Sequence, residues 1–318
     1  MRIAILDDYQ NLVRGLDCFA LLDGHDVTVF DRPMTGDALA DALADFDALV
    51  LIRERTRLDE ALLARLPALD VISQTGKAGA HLDVAAAKAR GIAVLEGEGD
   101  PVAPAELTWA LMMAAYRRIP QYVSRLQSGV WQSDSVQGGP ESIGRALHGD
   151  VLGIWGYGRI GRRVAGYGKA FGMQVLVWGS EAGRQRAAAD GCLVADSRAA
   201  FFEQADVISL HLRLHEATQG IVGVDDLARM KPTALLVNTS RAGLVETGAI
   251  ERALELGRPG QFALDVFEHE PLPADSPLLH NPRVLATPHL GYVERQSYEL
   301  YFGSAFRNLL AWATTARS

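Results

Sequence analysis

The sequence has little of what disulfide-dependent or metal-stapled proteins need. Only two cysteines, Cys18 and Cys192, occur among 318 residues, and their spacing does not resemble that of a metal site. We therefore expect both to be small apolar or reactive thiols in a fold that does not depend on disulfides.

Long apolar runs and an excess of positive charge are also missing. No uninterrupted apolar stretch reaches the length of a bilayer, and the opening MRIAILDD predicts a first strand rather than a signal peptide. The 31 lysines and arginines are outnumbered by 39 acidic residues, which gives a net charge of −8. Such a charge disfavours non-specific nucleic-acid binding. We expect a cytoplasmic protein with neither a membrane nor a nucleic acid as partner.

Short β-branched runs that alternate with helical segments are abundant. The alternation predicts an α/β fold with two doubly wound parallel sheets, each covered on both faces. A Gly- and Pro-rich stretch at 97–104 predicts the crossover between them, a buried helix follows at 105–118, and 128–149 is expected to be a loop. The predicted strands of the first set are 2–8, 25–31, 48–54, 69–76 and 91–97, and those of the second are 150–156, 173–179, 206–212, 234–240, 261–267 and 283–289.

A glycine motif, G-x-G-x-x-G, follows the first strand of the second set. Gly156, Gly158 and Gly161 flank Arg159 and Ile160, and the motif opens a helical segment, which is the context that dinucleotide binding requires. The first glycine permits a tight turn, the second lets the backbone approach a pyrophosphate, and the third lets the helix pack on the strand. The pattern predicts a phosphate site at a helix N-terminus.

The next strand end, VWGSEAGR, lacks the acid that normally holds the adenosine ribose. Gly179 and Ser180 stand there, and neither carries the charge that would repel a 2′-phosphate. Glu181 could still favour NAD, although it is also a suitable first-turn residue behind an N-cap serine. Arg184 and Arg186 are candidates for a 2′-phosphate contact or for a solvated helix face. NAD and NADP both remain open, with dual or NADP-leaning use as the hypothesis.

Three chemically capable side chains follow strands of the second set. Arg241 can hold a carboxylate with two parallel hydrogen bonds. His289 can supply a proton near neutral pH, and Glu270 can orient its ring. Each residue alone also fits a structural loop or a surface turn, but together they form a coherent set for reduction of a 2-keto acid.

The most distinctive segments are those at 156–161, 206–211, 230–243, 263–271 and 281–289. Together they resemble the D-isomer-specific 2-hydroxyacid dehydrogenases, a family that includes phosphoglycerate dehydrogenases and glyoxylate/hydroxypyruvate reductases. The resemblance implies that Arg241 binds substrate, that His289 is the acid/base and that Glu270 is its partner. It also implies that Asp265 meets the nicotinamide carboxamide. Backbone at His211, Thr239 and Ser240 would line the cofactor groove.

The resemblance also implies a domain organisation. A flavodoxin-like substrate domain would comprise 1–97 plus 292–318, and a Rossmann NAD(P)-binding domain would comprise 98–291, with a cleft that closes on substrate. A homodimer through the nucleotide domain is implied, helped by the apolar helix at 105–116 and the long loop at 128–148. The chain resembles the short form, without a regulatory domain.

The match is weaker in the first unit. At Gly76–Asp83 the chain departs from the usual loop, whose backbone amides, here around Lys77, Ala78 and Gly79, would hold the substrate carboxylate. Lys77 either meets an extra acidic group of the substrate or is an exposed loop lysine. Further expected substrate contacts are Arg53 and Tyr292.

The function expected is a hydride transfer between NAD(P)H and a 2-keto acid or D-2-hydroxy acid, run as a reduction. Within enzymes, formate dehydrogenase pairs the histidine with glutamine, so Glu270 argues against it. The alternative is a non-catalytic NAD(H)-sensing regulatory protein of the same fold. His211 and His215 form H-x-x-x-H, but His211 ends a predicted strand, so no metal is expected.

Overall fold

The computed structural model describes residues 1–132 and 143–316, so the middle of the loop expected at 128–149 lies outside the described residues. The chain divides into two compact units, Met1–Asp100 with Val293–Ser318 and Pro101–Tyr292. The boundaries expected from the sequence were 97/98 and 291/292. The assignment of one unit to substrate and the other to dinucleotide stays a prediction.

The strands are β1 (Arg2–Ile5), β2 (Asp26–Val29), β3 (Ala48–Leu51), β4 (Val71–Gln74), β5 (Ala93–Glu96), β6 (Val151–Trp155), β7 (Gln174–Trp178), β8 (Leu193–Val194), β9 (Val207–Leu210), β10 (Leu235–Asn238), β11 (Gln261–Leu264) and β12 (Val284–Ala286). The helices are α1 (Gly36–Leu43), α2 (Glu60–Leu63), α3 (Val84–Ala89), α4 (Val102–Tyr116), α5 (Ile119–Gln127), α6 (Arg159–Ala170), α7 (Glu181–Ala189), α8 (Arg198–Gln204), α9 (Val224–Arg229), α10 (Ala249–Leu256), α11 (Pro277–His280) and α12 (Arg295–Ala316).

The first unit is built on a five-stranded sheet in the order β2-β1-β3-β4-β5. All its described pairings are parallel, and this order is the flavodoxin-like one. The C-terminal helix α12 returns to this sheet and buries Tyr298, Phe302 and Phe306 almost completely. Its backbone also accepts a hydrogen bond from the buried Ser73 hydroxyl on β4, at Ala305.

The second unit is built on a seven-stranded sheet in the order β12-β11-β10-β9-β6-β7-β8. All described pairings are again parallel. After β6 the chain continues to β7 and β8 on one side, and it then crosses to β9 on the other. This reversal creates the crevice at which α/β sheets of this type bind ligands, beyond the carboxyl ends of the strands. The α/β prediction with two parallel sheets is confirmed.

The Gly- and Pro-rich stretch at 97–104 was expected to be the crossover, and the two units do divide within it, after Asp100. Its last residues belong to α4, which begins at Val102 and includes Pro104. Proline is tolerated there because the N–H groups of a first helical turn have no intrahelical acceptor. Among the described residues, no helix combines the length and apolarity needed to cross a membrane.

Candidate active site

The glycine motif forms a tight strand-to-helix turn at the end of β6. Gly156 has φ +102°, and a Cβ there would lie 2.6 Å from the His211 carbonyl oxygen. A Cβ on Gly161 would lie 2.2 Å from the Gly156 oxygen, so both glycines are required by the chain's own backbone. Gly158 differs, because a Cβ there would meet nothing within 4 Å.

The space beside Gly158 lies at the start of α6. Arg162 donates the first bond of this helix, to the Gly158 oxygen at 3.0 Å, so the preceding amides have no acceptor within the helix. An open glycine beside such amides is suitable for close approach of a pyrophosphate. Arg159 and Ile160 are the first residues of α6, and Arg159 is exposed.

The end of β7 carries no acid that is free to face a ribose. Gly179 has φ +144°, and the Ser180 hydroxyl accepts from the Gly183 amide at 3.3 Å, as expected for an N-cap. Glu181 accepts from Arg184 Nη2 at 2.7 Å and from Gln185 Nε2 at 3.0 Å. The Arg184 guanidinium lies over the Trp178 ring, 5.0 Å from its centroid.

His211 follows β9, beside the glycine turn. Its Nε2 lies 2.9 Å from the Ser209 hydroxyl, and its backbone amide donates to the Trp155 oxygen at 2.8 Å. Burial lowers the pKa of the His211 imidazole to about 4. The ring is therefore neutral near pH 7.

The turn after β10 is held by the side chain of Asn238, the last residue of that strand. The Asn238 side chain accepts from the Ser240 amide at 3.1 Å and donates to the Arg241 oxygen at 2.9 Å. The Ser240 hydroxyl donates to the Leu210 oxygen at 2.6 Å, which ties the turn to β9. Thr239 lies with its hydroxyl 2.6 Å from that of Thr108 on α4.

Glu270 and His289 are in direct contact. Nδ1 of His289 lies 2.6 Å from Oε2 of Glu270, while Oε1 accepts from the Phe267 amide at 2.9 Å. A carboxylate whose second oxygen already accepts an amide hydrogen favours the tautomer with the proton on Nδ1, so Nε2 is the atom left for chemistry. His289 has φ +53°, a strained conformation for a non-glycine residue and one that clusters at functional sites.

The backbone around His289 is held by a buried acid. Oδ1 of Asp265 accepts from the Thr287 hydroxyl at 2.6 Å and from the Leu290 amide at 2.7 Å, and Oδ2 accepts from the Gly291 amide at 2.9 Å. Burial raises the pKa of Asp265, although these donors oppose the shift. The Tyr292 ring meets the His289 ring edge to face, with centroids 5.6 Å apart.

The sequence predicts that Arg241, Glu270 and His289 each follow a strand. The three strands prove to be neighbours in the sheet. Arg241 follows β10, Glu270 follows β11 and His289 follows β12, which are adjacent in the sheet. All strands are parallel, so the three loops emerge at one edge. Beyond this shared edge, His289 and Glu270 are within hydrogen-bond distance of each other.

The remaining substrate candidates lie in the first unit. Arg53 follows β3 with φ +53°. A Cβ on Gly76 would come within 2.0 Å of its Nη1, so the guanidinium rests against the loop after β4. Its side chain also lies over the Tyr301 ring, 5.6 Å from the centroid. Gly79 has His81 and Glu54 as its nearest side-chain neighbours.

Lys77 and Ala78 bind a carboxylate that sequence reasoning did not consider. Glu96, at the end of β5, accepts from Lys77 Nζ at 3.0 Å and from the Ala78 amide at 2.9 Å. Because of these donors, the pKa of Glu96 is lowered. The signal was an acid at a strand end, but nothing local in the sequence pairs it with Lys77.

Asn238 was also overlooked, although an asparagine that bonds its own backbone two residues on is a local signal. Thr108 has no such local signal, because its partner Thr239 is 131 residues away in sequence.

Known proteins resemble this chain in sequence and in fold. The family model of the D-isomer specific 2-hydroxyacid dehydrogenase NAD binding domain matches residues 109–291. The chain belongs to the D-isomer specific 2-hydroxyacid dehydrogenase family. Among solved structures of oxidoreductases, one from Ralstonia solanacearum is 56% identical, with a TM-score of 0.96 over 99% of this chain and 94% of that chain.

Members of the family that are similar to this chain are named after different substrates. A glyoxylate reductase of Aeropyrum pernix is 36% identical over 91% of this chain and 87% of its own length. A D-3-phosphoglycerate dehydrogenase of Methanocaldococcus jannaschii is 36% identical over 81% of this chain. The chain spans about half the length of that relative, 48%.

Proposed function

We propose that this protein reduces a 2-keto acid to a D-2-hydroxy acid with a nicotinamide cofactor. The observation that carries the proposal is the 2.6 Å contact between His289 and Glu270, on loops adjacent to that of Arg241. A proton donor and a carboxylate anchor at one sheet edge are the groups that this reduction requires.

Each residue has a distinct role in the proposal. Arg241 binds the substrate carboxylate with two parallel hydrogen bonds, so that the adjacent keto carbon stays accessible for reduction. His289, with a proton on each ring nitrogen, donates the one on Nε2 to the oxygen at C2, while Glu270 holds the ring through Nδ1–H. Asp265 is a positioning residue for the His289 loop, through the amides of Leu290 and Gly291. Its expected contact with the carboxamide of the cofactor stays a prediction.

The residues of the second unit fit a dinucleotide. The open position at Gly158 and the amides that start α6 would hold the pyrophosphate, with Arg159 and Ile160 beside it. His211, Thr239 and Ser240 would line the groove through their backbone. The bound nicotinamide would supply the hydride for C2 of the substrate.

For the cofactor, we propose dual use with a lean towards NADP. Gly179 offers no side chain, and the charge of Glu181 is balanced by Arg184 at 2.7 Å. The strand end therefore presents little net negative charge to a 2′-phosphate. Support for NAD comes from the family model, which describes an NAD binding domain.

The substrate is proposed as a small 2-keto acid. Names among the relatives point to glyoxylate and to the keto acid of 3-phosphoglycerate. Arg53, Lys77, Ala78, Gly79 and Tyr292 stay predicted substrate contacts.

We also propose that the protein is a homodimer. This proposal is supported by an exposed apolar row on α5, formed by Ile119, Val123 and Leu126, whose exposed fractions are 48%, 48% and 55%. The sedimentation mass of the purified protein tests it. The cytoplasmic location expected from the sequence stays a prediction.

Turnover distinguishes this proposal from the non-catalytic sensor. The purified protein is mixed with NADH or NADPH and with glyoxylate, hydroxypyruvate, phosphohydroxypyruvate, pyruvate and branched or aromatic keto acids, while nicotinamide absorbance is followed. Oxidation with at least one keto acid supports the reductase. Tight cofactor binding without oxidation across the whole panel would favour the sensor.

A further inference from the structure

One of the chain's own carboxylates lies at the loop that we propose to bind the acidic end of the substrate. Glu96 is the last residue of β5 and is paired in register with Gln74, the last residue of β4. The loop that follows β4 carries Lys77 and Ala78. The carboxyl ends of both strands therefore bring Glu96 and this loop together.

The contacts of Glu96 are those that an anionic ligand would make. One carboxylate oxygen accepts from the Ala78 amide at 2.9 Å, and the other accepts from Lys77 Nζ at 3.0 Å. A backbone N–H combined with an ammonium group is a strong donor set for a carboxylate or a phosphate. Arg53 adds a second cation, because its guanidinium lies against Gly76, directly before Lys77.

Glu96 remains accessible and replaceable. The side chains of Lys77 and Glu96 are 70% and 40% exposed, and an ion pair with such exposure contributes little to stability. A rotation of the Glu96 side chain releases both donors without moving β5. The chain can therefore exchange its own carboxylate for an external anion.

We propose that Glu96 is a specificity-determining residue whose carboxylate, held on the Ala78 amide, neutralises the Lys77 ammonium, so that the enzyme disfavours substrates with a second acidic group. The inference rests on the proposed function. With Glu96 in place, a phosphate or sulfonate on the substrate meets no uncompensated charge at Lys77 and must displace a carboxylate. Without Glu96, the Lys77 ammonium is free to hold that group.

Hydroxypyruvate and its 3-phosphate provide a matched pair of substrates, since they differ only in the second acidic group. Glu96→Gln should raise the ratio of kcat/KM for the phosphate ester over hydroxypyruvate by roughly three- to fivefold, the size expected for a partly exposed ion pair. The change should appear in KM. Lys77→Met should lower the ratio, because Glu96 would then stand unneutralised.

Glu98→Gln is the matched control, because Glu98 is exposed, lies two residues away and loses the same charge. Its ratio should stay within twofold of that of the parent protein. An unchanged ratio in Glu96→Gln, or an equal change in Glu98→Gln, would overturn the inference. The proposed function would still stand in that case, provided that the protein reduced hydroxypyruvate.

A second measurement does not depend on turnover. Inorganic phosphate is titrated into each protein and binding is followed by calorimetry. Glu96→Gln should bind phosphate at least about threefold more tightly than the parent protein, and Glu98→Gln should not. Equal phosphate affinity in all three proteins would overturn the inference even if no keto acid were reduced.

Discussion

Nδ1 of His289 lies 2.6 Å from Oε2 of Glu270, and the other oxygen of Glu270 accepts from the Phe267 amide at 2.9 Å. The carboxylate is thus fixed by its own loop before it contacts the histidine. It can therefore hold the imidazole in one orientation.

Replacement of Glu270 by Gln should lower kcat for keto-acid reduction by roughly 10²-fold, a typical size for a disturbed acid/base group. The amide keeps the shape but loses the charge that orients the donor Nδ1. Steady-state kinetics should show an unchanged KM for NADH. Glu268→Gln, an exposed neighbour in the same loop, is the control and should keep full activity. A fully active Glu270→Gln protein would remove Glu270 from the mechanism.

Replacement of Arg241 by Gln should raise the KM for the keto acid by roughly 10- to 100-fold, because a buried or partly buried charge-assisted contact is lost. Arg241→Lys should recover only part of the effect, since an ammonium lacks the planar two-point geometry. NADH affinity, measured by quenching of tryptophan fluorescence, should not change. Loss of NADH binding would show that Arg241 serves the cofactor instead.

Replacement of Glu181 by Gln should shift cofactor preference towards NADPH. The substitution removes the acid that pairs with Arg184 at 2.7 Å, so the guanidinium becomes available to a 2′-phosphate. We expect kcat/KM for NADPH itself to rise by about two- to fivefold and kcat/KM for NADH to stay unchanged, so that their ratio rises. Arg184→Gln should shift the ratio the opposite way. If Glu181→Gln instead weakened only NADH use, Glu181 would be the residue that reads the ribose.

His211 should make the protein less stable as the pH falls below neutrality. Burial lowers its pKa to about 4, whereas the unfolded chain takes up that proton near pH 6.5. Stability from this group is therefore complete above about pH 6.5 and is lost progressively towards pH 4, by about 1–3 kcal/mol.

Urea unfolding at several pH values between 7 and 4 measures this loss. His211→Gln should show a shallower decline in the free energy of unfolding than the parent protein. His280→Gln, which alters an exposed histidine, should follow the parent curve. An identical slope in His211→Gln and the parent protein would contradict the expected titration.

The sequence was sufficient to predict features that depend only on residues close together in the chain. The glycine turn at Gly156, the N-cap at Ser180 and the placement of His289 after a strand follow from short patterns around each residue. Side-chain partners from distant segments did not follow. The contact of Lys77 with Glu96 requires knowing that β4 and β5 are neighbours in register, and that of Thr108 with Thr239 requires knowing how α4 packs on the sheet. The φ of +53° at His289 likewise depends on the buried Asp265 that holds the amides beyond it.

The central claim is a hydride transfer to C2 of a keto acid, and isotope transfer tests it most directly. NADH deuterated at nicotinamide C4 on the transferred face is incubated with the protein and hydroxypyruvate, and the product is examined by NMR and chiral chromatography. We predict D-glycerate with deuterium at C2, formed in step with cofactor oxidation and nearly abolished in His289→Ala. Cofactor oxidation without deuterium at C2, or no oxidation with any keto acid of the panel, would contradict the account.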